Sequence, residues 1–165
     1  MTCDICHRPM RRRVTTLEHP YVYDLIGLDD ISLIGIEVFA CSRCRGESPV
    51  IPRIAGLHRV IARLLIEKPG LLDGPEVRFL RKFASLSGQL LAERLGITAS
   101  RLSRVENRRG ESVNLSAAAD RYVRLIAMAV LDKKEAAARA LERVEQRREW
   151  RRVFEVDGNR WREVA

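Results

Sequence analysis

Histidine and aromatic residues are scarce in this chain of 165 residues. The three histidines, His7, His19 and His58, are scattered, and no Ser/His/Asp set or glycine-rich phosphate loop accompanies them. The sequence therefore offers no general base and predicts that the protein is not an enzyme. Aromatic residues make up 5% of the chain, so a small subdomain needs a source of stability other than large rings.

Long apolar runs are missing as well. No stretch approaches the roughly 20 residues that a membrane-spanning helix needs, and the N-terminus lacks the layout of a secretory signal. The sequence therefore predicts a cytoplasmic protein without membrane association. Thiols stay reduced in that compartment, so cysteines are expected to bind metal before they form disulfides.

Only four cysteines are present, and they form two C-x-x-C pairs, Cys3 with Cys6 and Cys41 with Cys44. Each pair can place two thiolates on one tight turn, and two such turns complete the tetrahedral S₄ site that Zn²⁺ prefers. The sequence thus predicts zinc as the cofactor, with these four residues as its ligands. Four sulfurs close the shell, so the zinc is expected to be structural.

Three other interpretations of the cysteines stay open. They could form two disulfides, or a redox-active C-x-x-C pair, which makes a thiol redox protein an alternative function. The run Cys3–His7 also matches the attachment pattern of c-type haem, although this leaves Cys41 and Cys44 unexplained. His7 itself is expected to lie near the metal without binding it.

The interval between the cysteine pairs predicts β-structure. Segments 14–28 and 31–40 are rich in β-forming residues, residues 27–30 have turn character, and His19-Pro20 marks a bend. A two- or three-stranded antiparallel sheet over this interval would bring the pairs together. With so small a core, metal binding would supply much of the folding free energy, on the order of 10 kcal/mol.

The rest of the chain predicts helices and a fold of the α+β class. Apolar residues recur at helical spacing over Ile54–Glu67, after a Gly/Ser/Pro-containing segment at 46–52 that ends the zinc module. Further helices are predicted at 75–86, 88–95, 99–108 and from 114 or 116 to about 131. The predicted parts are a zinc-bound β module with a trailing helix (1–67), a linker (68–75), an all-α domain (76–132) and a helical and hairpin extension (133–165).

Two of these helices, 88–95 and 99–108, are joined by a tight turn. Gly96 can take a positive φ there, and Thr98 can cap the second helix. This arrangement is typical of a helix-turn-helix, whose second helix enters the major groove of DNA; a helical bundle with a charged face is the alternative. The side chains predicted to stay outside and contact DNA are Gln89, Ser100, Arg101, Ser103, Arg104, Asn107 and Arg108.

Acidic residues are outnumbered, and the net charge is +8. The excess is uneven, with −1 over residues 1–50, +6 over 51–132 and +3 over 133–165. Guanidinium groups suit phosphates and guanine edges, so the basic part favours an anionic partner, with a solvated basic surface as the alternative. Zinc-bound thiolates would make the first fifty residues more acidic, which predicts a poor grip on DNA and a plausible protein-binding face.

Several residues follow one another in the order Cys3-x-x-Cys6, Cys41-x-x-Cys44, a short helix, Gln89, Gly96, the run Leu102–Asn107 and Gly110. In this order the chain resembles the MqsA/YgiT-type zinc-finger and helix-turn-helix antitoxins over roughly residues 1–131, and its second half resembles a Cro/repressor-type (XRE) domain. The family's recognition helix contacts DNA through an Asn and an Arg four residues apart. Arg104 matches the Arg, whereas Ser100 stands in place of the Asn, which implies a different operator.

The resemblance implies two roles. The zinc module, residues 1–67, would bind and neutralise a ribonuclease toxin, and the C-terminal domain would dimerise and repress the operon. A homodimer is also expected because one recognition helix reads few bases, whereas two related by a dyad read a palindromic operator. A stand-alone zinc-containing regulator without a toxin partner is the alternative, since a net charge of +8 is not expected of a dedicated toxin neutraliser.

Residues 133–165 lie outside the resemblance. Segment 133–152 predicts a helix that continues from the preceding one or is kinked against it. The Asp-Gly pair at 157–158 between two β-rich segments predicts a hairpin, against which Trp150 and Trp161 could pack. The extension could supply a dimer contact, a second protein site, phosphate contacts from the arginines of 147–152, or only a surface appendage.

Overall fold

The structure, a computed structural model, describes residues 1–28, 30–107, 115–144, 154–157 and 160–163. They fall into two compact units, Met1–Leu131 and Asp132–Ala165. N-terminal antiparallel strands are followed by five helices, which confirms the predicted α+β class. The predicted boundary at residues 68–75, between a zinc module and an all-α domain, stays a prediction.

Five short strands precede the first helix: β1 (Arg11–Val14), β2 (Tyr21–Val22), β3 (Ser32–Leu33), β4 (Glu37–Ala40) and β5 (Glu47–Val50). One antiparallel sheet has the order β1-β4-β5, and β2 pairs with β3 in a second one. The register of β1 with β4 places Arg11 opposite Ala40. Since β1 follows the first cysteine pair and β4 precedes the second, this pairing brings the two pairs to the same end of the sheet.

Strand β5 lies in the segment 46–52, where the sequence predicts only a Gly/Ser/Pro-containing end of the zinc module. It pairs with β4 in antiparallel register, with Pro49 opposite Val38. Proline is tolerated in a sheet when it lies on an edge strand, and β5 is an edge strand. Because this segment has a turn-forming composition, the sequence did not predict this third strand of the sheet, which pairs with β4 at the buried Val38.

The five helices are α1 (Ile54–Glu67), α2 (Gly74–Phe83), α3 (Gly88–Arg94), α4 (Ala99–Asn107) and α5 (Ala117–Val144). The bounds of α1 are those predicted, because its apolar spacing is regular and Pro69-Gly70 follows directly. Helix α5 continues past residue 131 as far as Val144, so over these residues the helix predicted for 133–152 continues from the preceding one.

The starts of α2 and α3 are capped by side chains. Asp73 accepts a hydrogen bond from the Glu76 N–H (3.0 Å), and the Glu76 carboxylate accepts one from the Asp73 N–H (2.9 Å), so α2 begins with a reciprocal capping box. Ser87, the residue before α3, accepts from the Leu90 N–H at 3.1 Å. Each such cap contributes about 1 kcal/mol to helix stability.

One hydrophobic core joins the helices with the segment that precedes β3. Its fully or nearly fully buried members come from all five helices and the connecting segments: Leu28, Ile61, Ala62, Leu72, Val77, Phe79, Leu80, Leu91, Ala92, Leu102, Val105, Leu115, Val123 and Ala127. Leu28 lies between β2 and β3, so the N-terminal strands and the helices bury apolar surface together. Each buried Leu or Val side chain contributes roughly 1.5–3 kcal/mol relative to exposure.

A second cluster, of Tyr21, Tyr23 and Val38, lies under the strands. The Tyr23 hydroxyl hydrogen-bonds His58 Nε2 of α1 at 2.9 Å, and the His58 ring meets Phe79 of α2 edge-on, with centroids 5.9 Å apart. Burial lowers the pKa of His58. His58 is therefore a structural link between the strand region, α1 and α2.

Arg124 of α5 holds the C-terminal end of α1. Its guanidinium donates to the carbonyl oxygens of Leu65, Ile66, Lys68 and Gly70 at 2.7–3.0 Å. Asp120, one turn earlier on α5, accepts from Arg124 Nε (2.8 Å) and from the Leu72 N–H (2.7 Å). The last carbonyls of a helix have no partner within it, so this pair of side chains completes α1 and fixes the loop after it.

A second buried ion pair fixes α4 against α2. The Arg81 guanidinium donates two hydrogen bonds to the Glu106 carboxylate, at 2.6 and 2.7 Å, and a third to the Leu86 carbonyl at 2.9 Å. The Arg81 and Glu106 side chains are only 13% and 7% exposed. Such forked contacts set the rotation of one helix relative to another.

In the second unit, strands β6 (Phe154–Asp157) and β7 (Arg160–Glu163) pair antiparallel, with Phe154 opposite Glu163. This pairing confirms the predicted hairpin. Trp150 and the arginines of 147–152 lie outside the described residues. Across the described ranges, no helix combines the length and apolar character needed to cross a membrane.

Replacing Arg124 by Met keeps the aliphatic stem but leaves the Asp120 carboxylate without its buried counter-ion. We expect the free energy of unfolding, measured by urea denaturation, to fall by about 3–5 kcal/mol. Arg94→Met, at an exposed position of α3, is the matched control and should change it by less than about 0.5 kcal/mol. Equal effects of the two substitutions would contradict the structural role of Arg124.

His58→Gln tests the link through the pH dependence of stability. Because burial lowers the pKa of His58, the unfolded chain takes up the proton first as the pH falls below about 6.5. Stability from this group is thus complete above that pH and is lost towards the lower pKa of the folded state. Denaturation curves at several pH values should show a shallower loss of stability on acidification for His58→Gln than for the unsubstituted chain.

Candidate metal centre and candidate nucleic-acid interface

The first cysteine pair lies on a tight turn at the N-terminus. The Cys3 carbonyl accepts from the His7 N–H (2.8 Å), and the Cys3 N–H donates to the Arg8 carbonyl (2.8 Å). His7 has a φ of 54°, in the left-handed region that reverses the chain. The backbone N–H groups of Cys6 and Ile5 donate to the Cys3 sulfur and lower its pKa. The turn therefore favours the thiolate form of Cys3.

The second pair repeats this geometry. The Cys41 carbonyl accepts from the Arg45 N–H (3.1 Å), the Cys41 N–H donates to the Gly46 carbonyl (2.9 Å), and Arg45 has a φ of 59°. The N–H groups of Cys44 and Arg43 donate to the Cys41 sulfur and lower its pKa to about 6. In both turns the residue that directly follows the C-x-x-C pair has a left-handed backbone conformation. In both pairs the pKa of the first cysteine is lowered, which favours its thiolate form.

The four sulfurs converge. Cys3 and Cys44 are 3.3 Å apart, Cys6 and Cys41 3.4 Å, Cys6 and Cys44 3.8 Å, and all four lie within 4.8 Å of one another. In a tetrahedral site with metal–sulfur bonds of about 2.3 Å, sulfur atoms are about 3.8 Å apart. The structure therefore brings the four predicted ligands together in a cluster that could bind a metal ion, and the donor set fits zinc.

The electrostatics of the cluster also favour a cation. The Gly46 N–H acts to lower the pKa of Cys44, but hydrogen bonds with the Cys3 and Cys41 sulfurs outweigh it and raise that pKa to about 12. Neighbouring sulfurs thus resist carrying four negative charges at once, and a divalent cation between them removes this resistance. His7 is exposed and lies outside the cluster.

The close sulfur contacts join the two turns. A redox C-x-x-C pair reacts through the two sulfurs of one motif, whereas the shortest contacts here run from Cys3 to Cys44 and from Cys6 to Cys41. Gly46 borders the cluster, because a Cβ at that position would lie 3.4 Å from the Cys44 sulfur and 4.0 Å from the Cys3 sulfur.

Helices α3 and α4 form the second candidate site. They are joined by a turn in which Gly96 has a φ of 65°, and Thr98 accepts from the Arg101 N–H at 3.2 Å. Leu102 and Val105 of α4 are buried. The polar and basic residues of α4 therefore lie on the opposite, exposed face, as their spacing predicts.

Most of the sequence-predicted DNA contacts lie on this exposed face of α4, and Gln89 lies at the start of α3. Six of the seven are exposed: Gln89, Ser100, Arg101, Ser103, Arg104 and Asn107. The seventh, Arg108, lies outside the described residues. Among the described residues of α4, Glu106 is the one carboxylate, and it is buried against Arg81, so the exposed face of α4 is basic.

Sequence reasoning did not single out Arg78. This exposed residue of α2 donates to the Asn107 side-chain oxygen at 3.4 Å, and the Asn107 amide donates to the Ser103 carbonyl at 2.8 Å. Arg78 thereby extends the basic face from α4 to α2. A contact between residues 29 positions apart leaves no local signal in the sequence.

Comparison of the chain with protein-family models, curated proteins and solved structures found no match.

The purified protein is expected to contain one zinc ion per chain, and Cys41→Ser should remove it, because three sulfurs and a hydroxyl bind the ion far more weakly. Elemental analysis by mass spectrometry measures this directly. Ser42→Ala, at an exposed position in the same turn, is the control and should keep the metal. Four thiols that react fully in the native protein, with no metal bound, would rule out the site.

Proposed function

We propose that the chain is a sequence-specific DNA-binding repressor with a structural zinc site, acting as a homodimer on a palindromic operator. The observation that carries this proposal is the exposed basic face of α4, held in place by the buried Arg81–Glu106 pair. Glu106, the one carboxylate of α4, is bound to Arg81. Arg101 and Arg104 therefore have no negative charge beside them on the exposed face of their own helix.

In this proposal α3 and α4 form a helix-turn-helix of the Cro/repressor type, and α4 enters the major groove. Arg104 and Arg101 are long enough to reach guanine O6 and N7, and Ser100 and Ser103 can reach bases or phosphates. Gln89, at the exposed start of α3, suits a phosphate contact. These phosphate contacts would set the register in which the arginines read the sequence.

The zinc site would hold the N-terminal turns in a single conformation, with Cys3, Cys6, Cys41 and Cys44 as ligands. A bound zinc ion supplies folding free energy there and no reactive position. We infer that this module, residues 1–67, binds a basic toxin protein, so that the chain is the antitoxin of a toxin–antitoxin pair in the cytoplasm. A stand-alone regulator of the same architecture is favoured instead by the overall charge of +8.

Arg104→Ala should weaken binding to the operator by about 1–3 kcal/mol and relax specificity at one base pair, because a forked contact to guanine is lost. Fluorescence anisotropy with a duplex covering the DNA upstream of the protein's own coding region measures this. Arg94→Ala, the same change at an exposed position of α3 outside the proposed interface, is the control.

Binding should also weaken steeply as the salt concentration rises, since each phosphate contact releases counterions. A chain that binds neither its own upstream duplex nor a scrambled one at low ionic strength would refute the proposed function. Equal losses from Arg104→Ala and Arg94→Ala would refute the assigned recognition helix.

A further inference from the structure

Arg78 of α2 is exposed and lies beside the C-terminal end of α4. Its guanidinium donates to the side-chain oxygen of Asn107, the last residue of α4, at 3.4 Å. One turn further along α2, the Arg81–Glu106 ion pair fixes the same end of α4. The two arginines therefore differ in their setting: Arg81 is nearly buried and neutralised, whereas Arg78 carries its charge at the surface.

The Asn107 side chain is used within the protein at both ends of its amide. Its oxygen accepts from Arg78, and its nitrogen donates to the Ser103 carbonyl at 2.8 Å and to the Ser103 hydroxyl at 3.2 Å. An asparagine that reads adenine uses both its oxygen and its nitrogen, in a paired contact with N6 and N7. Asn107 could make that contact only by giving up its bonds to Arg78 and to Ser103.

The Arg78 guanidinium keeps most of its donors free. Of its five N–H groups, the contact with Asn107 occupies one. None of the residues three or four positions away on α2 is acidic, and among the residues that the structure describes no carboxylate forms an ion pair with Arg78. An exposed guanidinium with free donors suits a phosphate, which it can bind through two parallel hydrogen bonds.

The C-terminal end of α4 is where a helix bound in the major groove meets the DNA backbone. In a helix-turn-helix the N-terminal residues of the recognition helix contact the base edges. From Ser100 to Asn107 the helix rises about 10 Å, which is close to the roughly 12 Å width of the major groove. With the first turn of α4 at the bases, Asn107 and the neighbouring Arg78 therefore lie at the wall of the groove, which consists of phosphates.

We propose that Arg78 binds a phosphate of the DNA backbone, and that Asn107 is the positioning residue that holds its guanidinium there instead of reading a base. This inference rests on the proposed function and extends the DNA interface from α3 and α4 to α2. Arg78 then contributes affinity without sequence preference, since phosphates carry no sequence information. Base reading is left to the earlier part of α4.

Fluorescence anisotropy with the full zinc-loaded chain tests the contact of Arg78, with the upstream duplex and a scrambled duplex of the same length at several salt concentrations. We expect Arg78→Gln to lower the slope of log Kd against log salt by about 0.9 for each bound chain, because one phosphate contact is lost. At about 0.15 M salt this corresponds to roughly five-fold weaker binding per bound chain, equally on both duplexes. Arg78→Lys keeps the charge and should keep the slope. Arg94→Gln, the same charge change at an exposed position of α3, should change neither the slope nor the affinity.

A double-mutant cycle tests the positioning role of Asn107. Asn107→Leu keeps the approximate shape of the side chain and removes its hydrogen bonds. It should weaken binding about three-fold on both duplexes when Arg78 is present, and have no effect together with Arg78→Gln, because it acts through Arg78. The ratio of the two affinities should stay within about two-fold of the original, since no base contact is lost, whereas Arg104→Ala lowers it. Circular dichroism verifies that each variant is folded.

A salt slope that Arg78→Gln leaves unchanged, or that Arg94→Gln lowers as much, would overturn the phosphate contact. A loss confined to the upstream duplex would overturn it as well, since Arg78 would then read a base. Asn107→Leu would overturn the positioning role by lowering the ratio of the two affinities, or by weakening binding equally with and without Arg78. An unsubstituted chain that binds neither duplex refutes the proposed function itself, whereas one that binds the upstream duplex and ignores Arg78→Gln refutes this inference alone.

Discussion

The end of helix α1 depends on a side chain from another part of the sequence. Four carbonyl oxygens between residues 65 and 70 accept hydrogen bonds from the Arg124 guanidinium, and Asp120 both orients that guanidinium and accepts from the Leu72 N–H. Unpaired carbonyls at a buried helix end would be costly. Because α1 directly follows the strands and α5 packs on the other helices, this contact fixes the position of α1, and of the strands before it, on the helical core.

A buried ion pair also fixes the contact between α4 and α2. Arg81 and Glu106 are both nearly buried and form a two-pronged ion pair. Buried pairs of this kind add little to stability compared with apolar residues of the same volume, but removing one partner is strongly destabilising. Their value here is geometric: they select one rotation of α4, so that its basic residues face outward while Leu102 and Val105 stay in the core. With few aromatic rings available, directional polar contacts orient the helices.

The sequence correctly predicted those features of the structure that depend on residues close together in the chain. Four features follow from spacing and turn chemistry within short stretches: the bounds of α1, the hydrogen bond of Thr98 at the start of α4, the exposed residues of α4 and the convergence of the four cysteines. Strand β5 was missed because a proline on an edge strand resembles the composition of a linker. The continuation of α5 past residue 131 was one of two predicted possibilities, because helical spacing does not distinguish a continuous helix from a kinked one. The Arg124 and His58 contacts join residues far apart in sequence, and a single sequence does not indicate which arginine or histidine will find such partners.

The two cysteine turns are synthesised at different times, so the first turn exists for some seconds without the second. Cys3 and Cys6 emerge from the ribosome first, but the shortest sulfur contact of Cys3 is with Cys44, 41 residues later. At a synthesis rate of about 5–20 residues per second, the N-terminal thiols wait roughly 2–8 seconds before the second turn exists. During that interval Cys3 and Cys6 lack the sulfur contacts that the second turn later supplies, so the cluster can form only after residue 44 has been synthesised.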